Sequence, residues 1–309
     1  MFDFVGKRYW FFLLSALVIV PGIISLAVFG LKPGVDFRSG TSITISLSTE
    51  VDEGQLRDEV ASLGYSDAIV QKTGDTFLIR IPGEPTTEDK QKIVDGIQTQ
   101  FETEVTVEDF SAVSPIVAAQ TARNAAIAIA VASVGILLYI TFAFRRMPSP
   151  FRWGICAIIA LLHDIMVVVG IFSIMGWLTG AKVDVMFITG MLTVTGYSVH
   201  DTIVVFDRIR ENMGKRIGKD FEETVNVSIV QTLTRSLNTS LTVLLVLLTL
   251  LLLVGGTIHN FTIVLLIGVI TGTYSSVCNA SQLLIVWENG EWKRFFSWLP
   301  FRRKPNPQT

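Results

Sequence analysis

The sequence predicts a polytopic α-helical membrane protein, six transmembrane helices with one exported α+β domain between helices 1 and 2. Three observations predict it. Half of the 309 residues are apolar and only 17% are charged, with a mean hydropathy of +0.53, outside the range of ordinary soluble domains. Six apolar stretches have about the 20 residues that a helix needs to cross a bilayer. One hydrophilic stretch, 32–118, separates the first of these from the other five.

The apolar stretches are 9–30, 123–144, 152–177, 184–206, 237–255 and 261–287. The first follows Lys7 and Arg8, but it is too long for a secretory signal and lacks a small-residue cleavage site, so it reads as a retained helix. Lysine and arginine then fix the orientation. With the N-terminus inside, 16 of the 25 basic residues fall on cytoplasmic segments, among them Arg145, Arg146, Arg208, Arg210, Lys215, Lys293 and Arg302, whereas the short outer loops hold Lys182. Both termini are expected in the cytoplasm. The expected units are 1–31 (N-terminus and helix 1), 32–118 (exported domain), 119–287 (helices 2–6) and 288–309 (basic tail). Cys156 and Cys278 lie in apolar runs and read as packing residues.

Within 32–118 the hydrophobic period changes. "TSITISL" (41–47) alternates as a strand does; "VDEGQLRDEVASLG" (51–64) has helical spacing and ends on glycine. "DAIVQKTGDTFLIRIPG" (67–83) reads as a hairpin around "TGD". "TTEDKQKIVDGIQTQF" (86–101) is a second amphipathic helix with an acidic start, and "EVTVEDFSAV" (104–113) a last strand. Strand, helix, strand, strand, helix, strand is the ferredoxin-like arrangement. The segment holds 16 Asp/Glu against 7 Lys/Arg, which argues against nucleic acid as a partner. It shows no nucleophile–base pair, phosphate loop or metal spacing, so an enzyme is not expected, nor any cofactor or metal; a binding or lever role is.

The chemistry lies in the membrane. Asp201 sits about 9 Å below the cytoplasmic end of its helix, where an aspartate costs about 2.5–3.5 kcal/mol to insert and therefore needs protein or water around it. Thr189, Thr193, Gly196, Tyr197, His200 and Asp201 form one polar, small stripe along the fourth helix, and Arg235, Asn238, Thr239, Thr242 and Thr249 interrupt the fifth. Arg235 lies where its long side chain can reach inward, so Asp201 and Arg235 are expected to pair. Parting them would turn a fixed anion into a protonatable group. His163 and Asp164 on the third helix, and His200, are further proton-coupling candidates; the plainer role for each is polar glue between helices, worth about 0.6 kcal/mol. Gly268, Gly272 and Ser276 make a small-residue stripe for close packing on the sixth helix, as Gly196 does on the fourth.

These residues carry a resemblance. "GVDFRSGT" (34–41), "LLHDI" (161–165), "GYSVHDTIVVFDRIREN" (196–212) and "NVSIVQTLTRSLNTS" (226–240), with the six-helix plan, resemble the SecD/SecF family of bacterial protein-export subunits, related to the proton-driven resistance-nodulation-division exporters. The resemblance implies a multi-pass protein of the inner (plasma) membrane that pairs with a separate SecD chain and docks on the SecYEG channel. YajC is a further candidate partner. Proton-driven pulling on exported preproteins would then be its work, with lipid around it. It places the family's intramembrane acid and base on Asp201 and Arg235. In this scheme "VDFRSG", with Gly34, Asp36, Arg38 and Gly40, is the hinge of the exported domain. The alternative is one half of a proton-coupled small-molecule exporter. An intramembrane protease would need a second catalytic group, and the sequence has no GxGD, HExxH or GxSG.

Overall fold

The structure, a computed structural model, describes residues 2–37, 40–49, 51–66, 68–73, 76–82, 87–113, 115–253 and 258–291. Helix α1 (Arg8–Phe29) leads through a 3-10 turn (Val35–Phe37) into β1 (Gly40–Leu47). There follow α2 (Glu53–Ser62), β2 (Ile69–Thr73), β3 (Thr76–Pro82), α3 (Thr87–Phe101) and β4 (Val105–Val113). The remaining chain is helical: α4 (Pro115–Ala143), α5 (Pro150–Thr179), α6 (Val185–Gly214), α7 (Phe221–Leu253) and α8 (His259–Ser275). Helix α8 runs on through a π turn (Ser276–Ala280) into α9 (Ser281–Glu288).

The element order expected for the hydrophilic segment is present. Its strands form one antiparallel sheet in the order β2-β3-β1-β4, with Ile43 opposite both Ile79 and Phe110. Alternation along β1 sends Ile43 and Ile45 to one face, where Leu56 and Val60 of α2 and Ile93 and Ile97 of α3 close over them; all six are fully buried. Asp52 caps α2 by accepting from the Gly54 N–H at 2.8 Å, satisfying one of the donors that a helix start leaves free. The hairpin tip at Gly74 and Asp75 and the basic tail lie outside the described residues.

Tyr65 donates its hydroxyl to Asp89 Oδ1 at 2.5 Å, binding the turn after α2 to α3. Burial, then this bond and the charge of Asp89, push the phenol up to about 12. A phenol that stays neutral longer in the folded chain contributes stability that is complete below about pH 10 and is lost as the pH rises through its folded value. Phenolate absorbance should therefore show one late-titrating tyrosine that the Tyr65→Phe variant lacks.

Among the described residues five helical segments are long and apolar enough to cross a membrane: Arg8–Phe29, Ile116–Ala143, Pro150–Thr179, Phe221–Leu253 and His259–Glu288. Helix α6, which the sequence reading also counted, is 30 residues long but is not among them. Threonines, Ser198, His200, Asp201 and a charged last third dilute its apolar run. One side of it packs on protein, most extensively on α8 and also on α5 and α7, while Thr189, Thr193, Gly196 and His200 are exposed on another.

Two devices hold the bundle. Gly22 of α1 and Gly170 of α5 cross backbone to backbone, so that a Cβ on Gly170 would lie 2.7 Å from the Gly22 Cα and one on Gly22 would lie 2.9 Å from the Gly170 Cα. One turn further on, Ser25 and Ser173 hydroxyls meet at 2.9 Å, and Ser173 donates to the Gly30 carbonyl. At the opposite end of α1, the Phe4 N–H donates to Asn226 Oδ1 at 2.8 Å, and Arg8 pairs with Glu222 at 3.3 Å and Glu291 at 2.6 Å. That knot gathers the chain start, the first turn of α7 and the residues beyond α9.

The segment after α1 is pinned to the start of α6. Gly34 N–H donates to the Val183 carbonyl at 2.6 Å and Val183 N–H to the Lys32 carbonyl at 2.8 Å, while Asp36 Oδ2 accepts from the Val185 N–H at 3.0 Å. A side chain on Gly34 would meet Val183 O at 2.9 Å. Arg80 of β3 points its charge toward the same place: burial lowers its pKa, and Asp184 and Asp36 oppose that. Sheet and bundle thus share one electrostatic junction.

Candidate functional site

Asp201, on the buried side of α6, is 8% exposed. Its Oδ1 accepts from Ser236 Oγ of α7 at 2.6 Å and its Oδ2 from Ser276 Oγ of the π turn at 2.5 Å. Asp164 of α5 is fully buried. Its Oδ2 accepts from Ser198 of α6 at 2.5 Å and from Ser275 of α8 at 2.7 Å, and its Oδ1 lies 2.9 Å from His163 Nδ1. The other ring nitrogen of His163 is 3.1 Å from Ser15 of α1, which also receives Asn279 Nδ2 at 3.0 Å.

Helical geometry explains why two acids are served from so short a stretch. Consecutive residues on a helix point about 100° apart, so Ser275 faces Asp164 while Ser276 faces Asp201. The π turn that begins at Ser276 leaves carbonyls without their usual partners. Ser281 Oγ covers the Ser276 carbonyl at 2.9 Å, and Gln282 Nε2 lies 3.5 Å from that of Val277. Charge-assisted bonds from four serine hydroxyls and an imidazole are what let carboxylates sit in an apolar bundle.

The sequence expectations meet this geometry unevenly. Asp201 faces protein, but the expected contact with Arg235 is absent among the described hydrogen bonds and ion pairs: Arg235 is exposed and its neighbour Ser236 turns inward. His200 is exposed too, beside Thr189, Thr193 and Gly196. A Cβ on Gly196 would meet nothing within 4 Å, so that glycine packs on no helix among the described residues. Gly268 and Gly272 do pack, on Val194 and Ser198 of α6. Ser276 is buried but serves as a hydrogen-bond donor to Asp201, a chemical role beyond packing. His163 and Asp164 lie together at the second carboxylate. Of the four residues named for the hinge, Gly34 and Asp36 are tied to the start of α6, Gly40 opens β1, and Arg38 lies outside the described residues. Ser15, Ser198, Ser236 and Ser275 were not anticipated; a serine pair in the middle of an apolar helix was the available signal.

Long apolar helices around two buried carboxylates, with an α+β domain inserted after the first helix, are the build of a membrane transport protein. The family model "Protein export membrane protein SecD/SecF, C-terminal" matches residues 93–290, and that of the "SecD/SecF GG Motif" matches 24–51. The chain belongs to the SecD/SecF family. A protein translocase subunit SecF of Thermobaculum terrenum is 46% identical over 96% of this chain and 97% of its own length. The SecDF of Bacillus subtilis is 40% identical over 94% of this chain but only 39% of its own length. A crystal structure of SecDF, a translocon-associated membrane protein from Thermus thermophilus, superposes with a TM-score of 0.82 at 31% identity, covering 93% of this chain and 39% of that one.

Proposed function

We propose that this chain is a SecF-type subunit of the protein translocase, working in the plasma membrane beside a separate SecD-type chain at the SecYEG channel, with YajC as a further neighbour. It uses the proton gradient to pull exported polypeptide outward. The name and near-equal length of the SecF relatives support the subunit; the fused SecDF relatives, of which this chain matches 39%, support a SecD-type partner.

One observation carries the reading. Thr189, Thr193, Gly196 and His200 of α6, and Arg235, Asn238, Thr239, Thr242 and Thr249 of α7, are exposed on helices set among apolar spans. Polar groups, and an arginine above all, do not rest against lipid tails. A second helical bundle with small and acidic residues covers them, and Arg235 finds there, or at Asp201 after a helix movement, its carboxylate. In this arrangement α6 crosses the membrane as well and completes six spans, both termini are cytoplasmic, and residues 32–118 are an exported ferredoxin-like domain. The alternating strand order with both helices on one cluster supports that last point. Protonation of Asp201 from outside frees Ser236 and Ser276, α6 shifts against α7 and α8, and the tether at Gly34 and Asp36 passes the shift to the domain.

Cysteines at Thr193 and Asn238 test the covered surface. Both should cross-link to a co-expressed SecD-type chain in membranes, while a cysteine at the lipid-facing Leu252 should not. Equal labelling of all three by a lipid-soluble maleimide, with no cross-link, would remove the partner from this face.

A further inference from the structure

The exported domain is joined to the bundle by two stretches of chain, one before β1 and one after β4. Its own surface decides how it sits on them. Alternation sends Ile79 and Ile81 of β3 to the face that α2 and α3 close, so Arg80 between them points from the opposite face. In register, Arg80 lies between Ile69 of β2 and Ser42 of β1. Exposure falls along that row, from 46% at Ile69 to 6% at Ser42. The cover is on the β1 side, where the strand touches the 3-10 turn that carries Asp36. Arg80 is half-buried in that corner, and its Nε is buried without a hydrogen-bond partner among the described residues.

Every other described cation of residues 40–113 is engaged within the domain. Arg57 pairs with Glu53 at 2.6 Å, and the ammonium groups of Lys72, Lys90 and Lys92 lie over the rings of Phe77, Phe110 and Tyr65. Arg80 instead feels Asp184 and Asp36. Both acids are committed to the start of α6. Asp184 accepts from the Phe187 N–H at 2.7 Å and lies 3.4 Å from Asn260 Nδ2, and Asp36 accepts from the Val185 N–H at 3.0 Å. Two carboxylates held by N–H groups two residues apart suit a helix start, yet they repel one another, and a cation facing both lowers that cost. Lys32 and Lys182 flank the place but belong to the tether and to the loop before α6; Arg80 is the cation that the sheet brings. It closes no ion pair with either acid among the described residues, so its charge acts through the field of both rather than by one bond.

We propose that Arg80 is a positioning residue: its charge, facing the two carboxylates that cap α6, fixes the orientation of the exported domain on the bundle, and a movement of α6 reaches the sheet through it. The transmission rests on the proton-driven reading above; the orienting role does not. Asp36 belongs to the chain that leads into β1, and Asp184 to the start of α6. A shift of α6 that carries Asp184 away from Asp36 draws the charge of Arg80 in two directions. Strand β3 is hydrogen-bonded between β2 and β1, so what acts on Arg80 acts on the sheet as one piece. A single tether can pull a domain; a second point of attachment can turn it.

Pulsed electron paramagnetic resonance on the full chain with its SecD-type partner in lipid nanodiscs reads the orientation. Spin labels are attached through Asp58→Cys on α2 and Thr179→Cys at the end of α5, both exposed positions; the native Cys156 and Cys278 are buried. One narrow distance distribution is expected. Arg80→Met keeps a long apolar stem and loses the charge, so it should broaden the distribution and lose the main distance, whereas Arg80→Lys should retain both. Asp36→Asn leaves the sheet untouched and keeps an acceptor for the Val185 N–H, and it should broaden the distribution too. That variant decides the matter where Arg80→Met accumulates poorly. A stem that merely packs would make methionine equal to the unaltered chain. That result, or lysine behaving as methionine does, or an unchanged distribution in Asp36→Asn, overturns the proposal. Gradient-driven export measured in parallel separates the two ideas. A distribution broadened in Arg80→Met, with export indifferent to Asp201→Asn, would refute the proton-driven reading alone. Export lost in Asp201→Asn, with the same distribution in every variant, would refute the orienting role alone.

Discussion

Asp201→Asn is expected to reduce gradient-driven export to the level seen when the gradient is collapsed, while the protein remains in the membrane at normal abundance. The two halves of that result have separate causes. Asparagine is nearly isosteric and keeps one acceptor oxygen for Ser236. Its amide opposes Ser276, whose hydroxyl has the Thr273 carbonyl at 3.0 Å to turn to, so the cost to folding stays near that of one hydrogen bond, about 1 kcal/mol. What disappears is a group able to change charge. One elementary charge moving through the field is worth about 2.3 kcal/mol per 100 mV, roughly a fifty-fold bias on a two-state equilibrium, and that bias is the size of the effect to look for. Export from membrane vesicles with and without an uncoupler, alongside the thermal midpoint in detergent, checks both halves. Unimpaired gradient-driven export would end the assignment of Asp201 as the coupling acid.

Gly170→Leu is expected to lower stability by more than the same substitution at a glycine with open space beside it. The reason is the absence of anything that can yield. At most helix contacts an added methyl meets the end of a side chain, which can rotate; at Gly170 it would meet the Gly22 backbone at 2.7 Å, and α1 would have to move away along its length. Overpacking in a core costs about 1–3 kcal/mol, and the separation of α1 and α5 also parts Ser25 from Ser173. The same substitution at Gly135, where a Cβ would meet nothing within 4 Å, is the control. A fall in thermal midpoint and membrane abundance for Gly170→Leu, with Gly135→Leu unchanged, is the expected pair of results. Equal behaviour of the two would show that the crossing carries no packing energy.

Much of this was legible in the residues. The alternation of "TSITISL" and the spacing of Leu56 and Val60 were enough to place strands and helices of the hydrophilic segment, because both depend on local periodicity. The polar stripe on α6 was also visible, but it set His200 and Asp201 on one face, whereas the structure exposes the first and buries the second. What periodicity could not show was which side of Asp201 the rest of the bundle occupies. Arg235 and Ser236 are adjacent, and only the rotation of α7 decides which one meets the acid; a guess from charge chose the arginine and the structure chose the serine. Nor could the sequence show the register of α8 against α5 and α6, on which the divided service of Ser275 and Ser276 depends. The Gly22–Gly170 crossing was closer to view. Ser15, Gly22 and Ser25 lie on one side of α1, a small-residue stripe equivalent to the one noticed on the sixth span.

The knot at the chain start bears on how the protein is made. Helix α1 is synthesised before the helices it packs on, yet the groups that fasten its N-terminal end, Glu222, Asn226 and Glu291, belong to segments made about 210 to 280 residues later. Until those arrive, Arg8 and the Phe4 backbone have only water and headgroups for company. A fusion placed directly before Phe2 would therefore burden the last step of assembly rather than the first, and its harm would show as full-length chains inserted but unfinished.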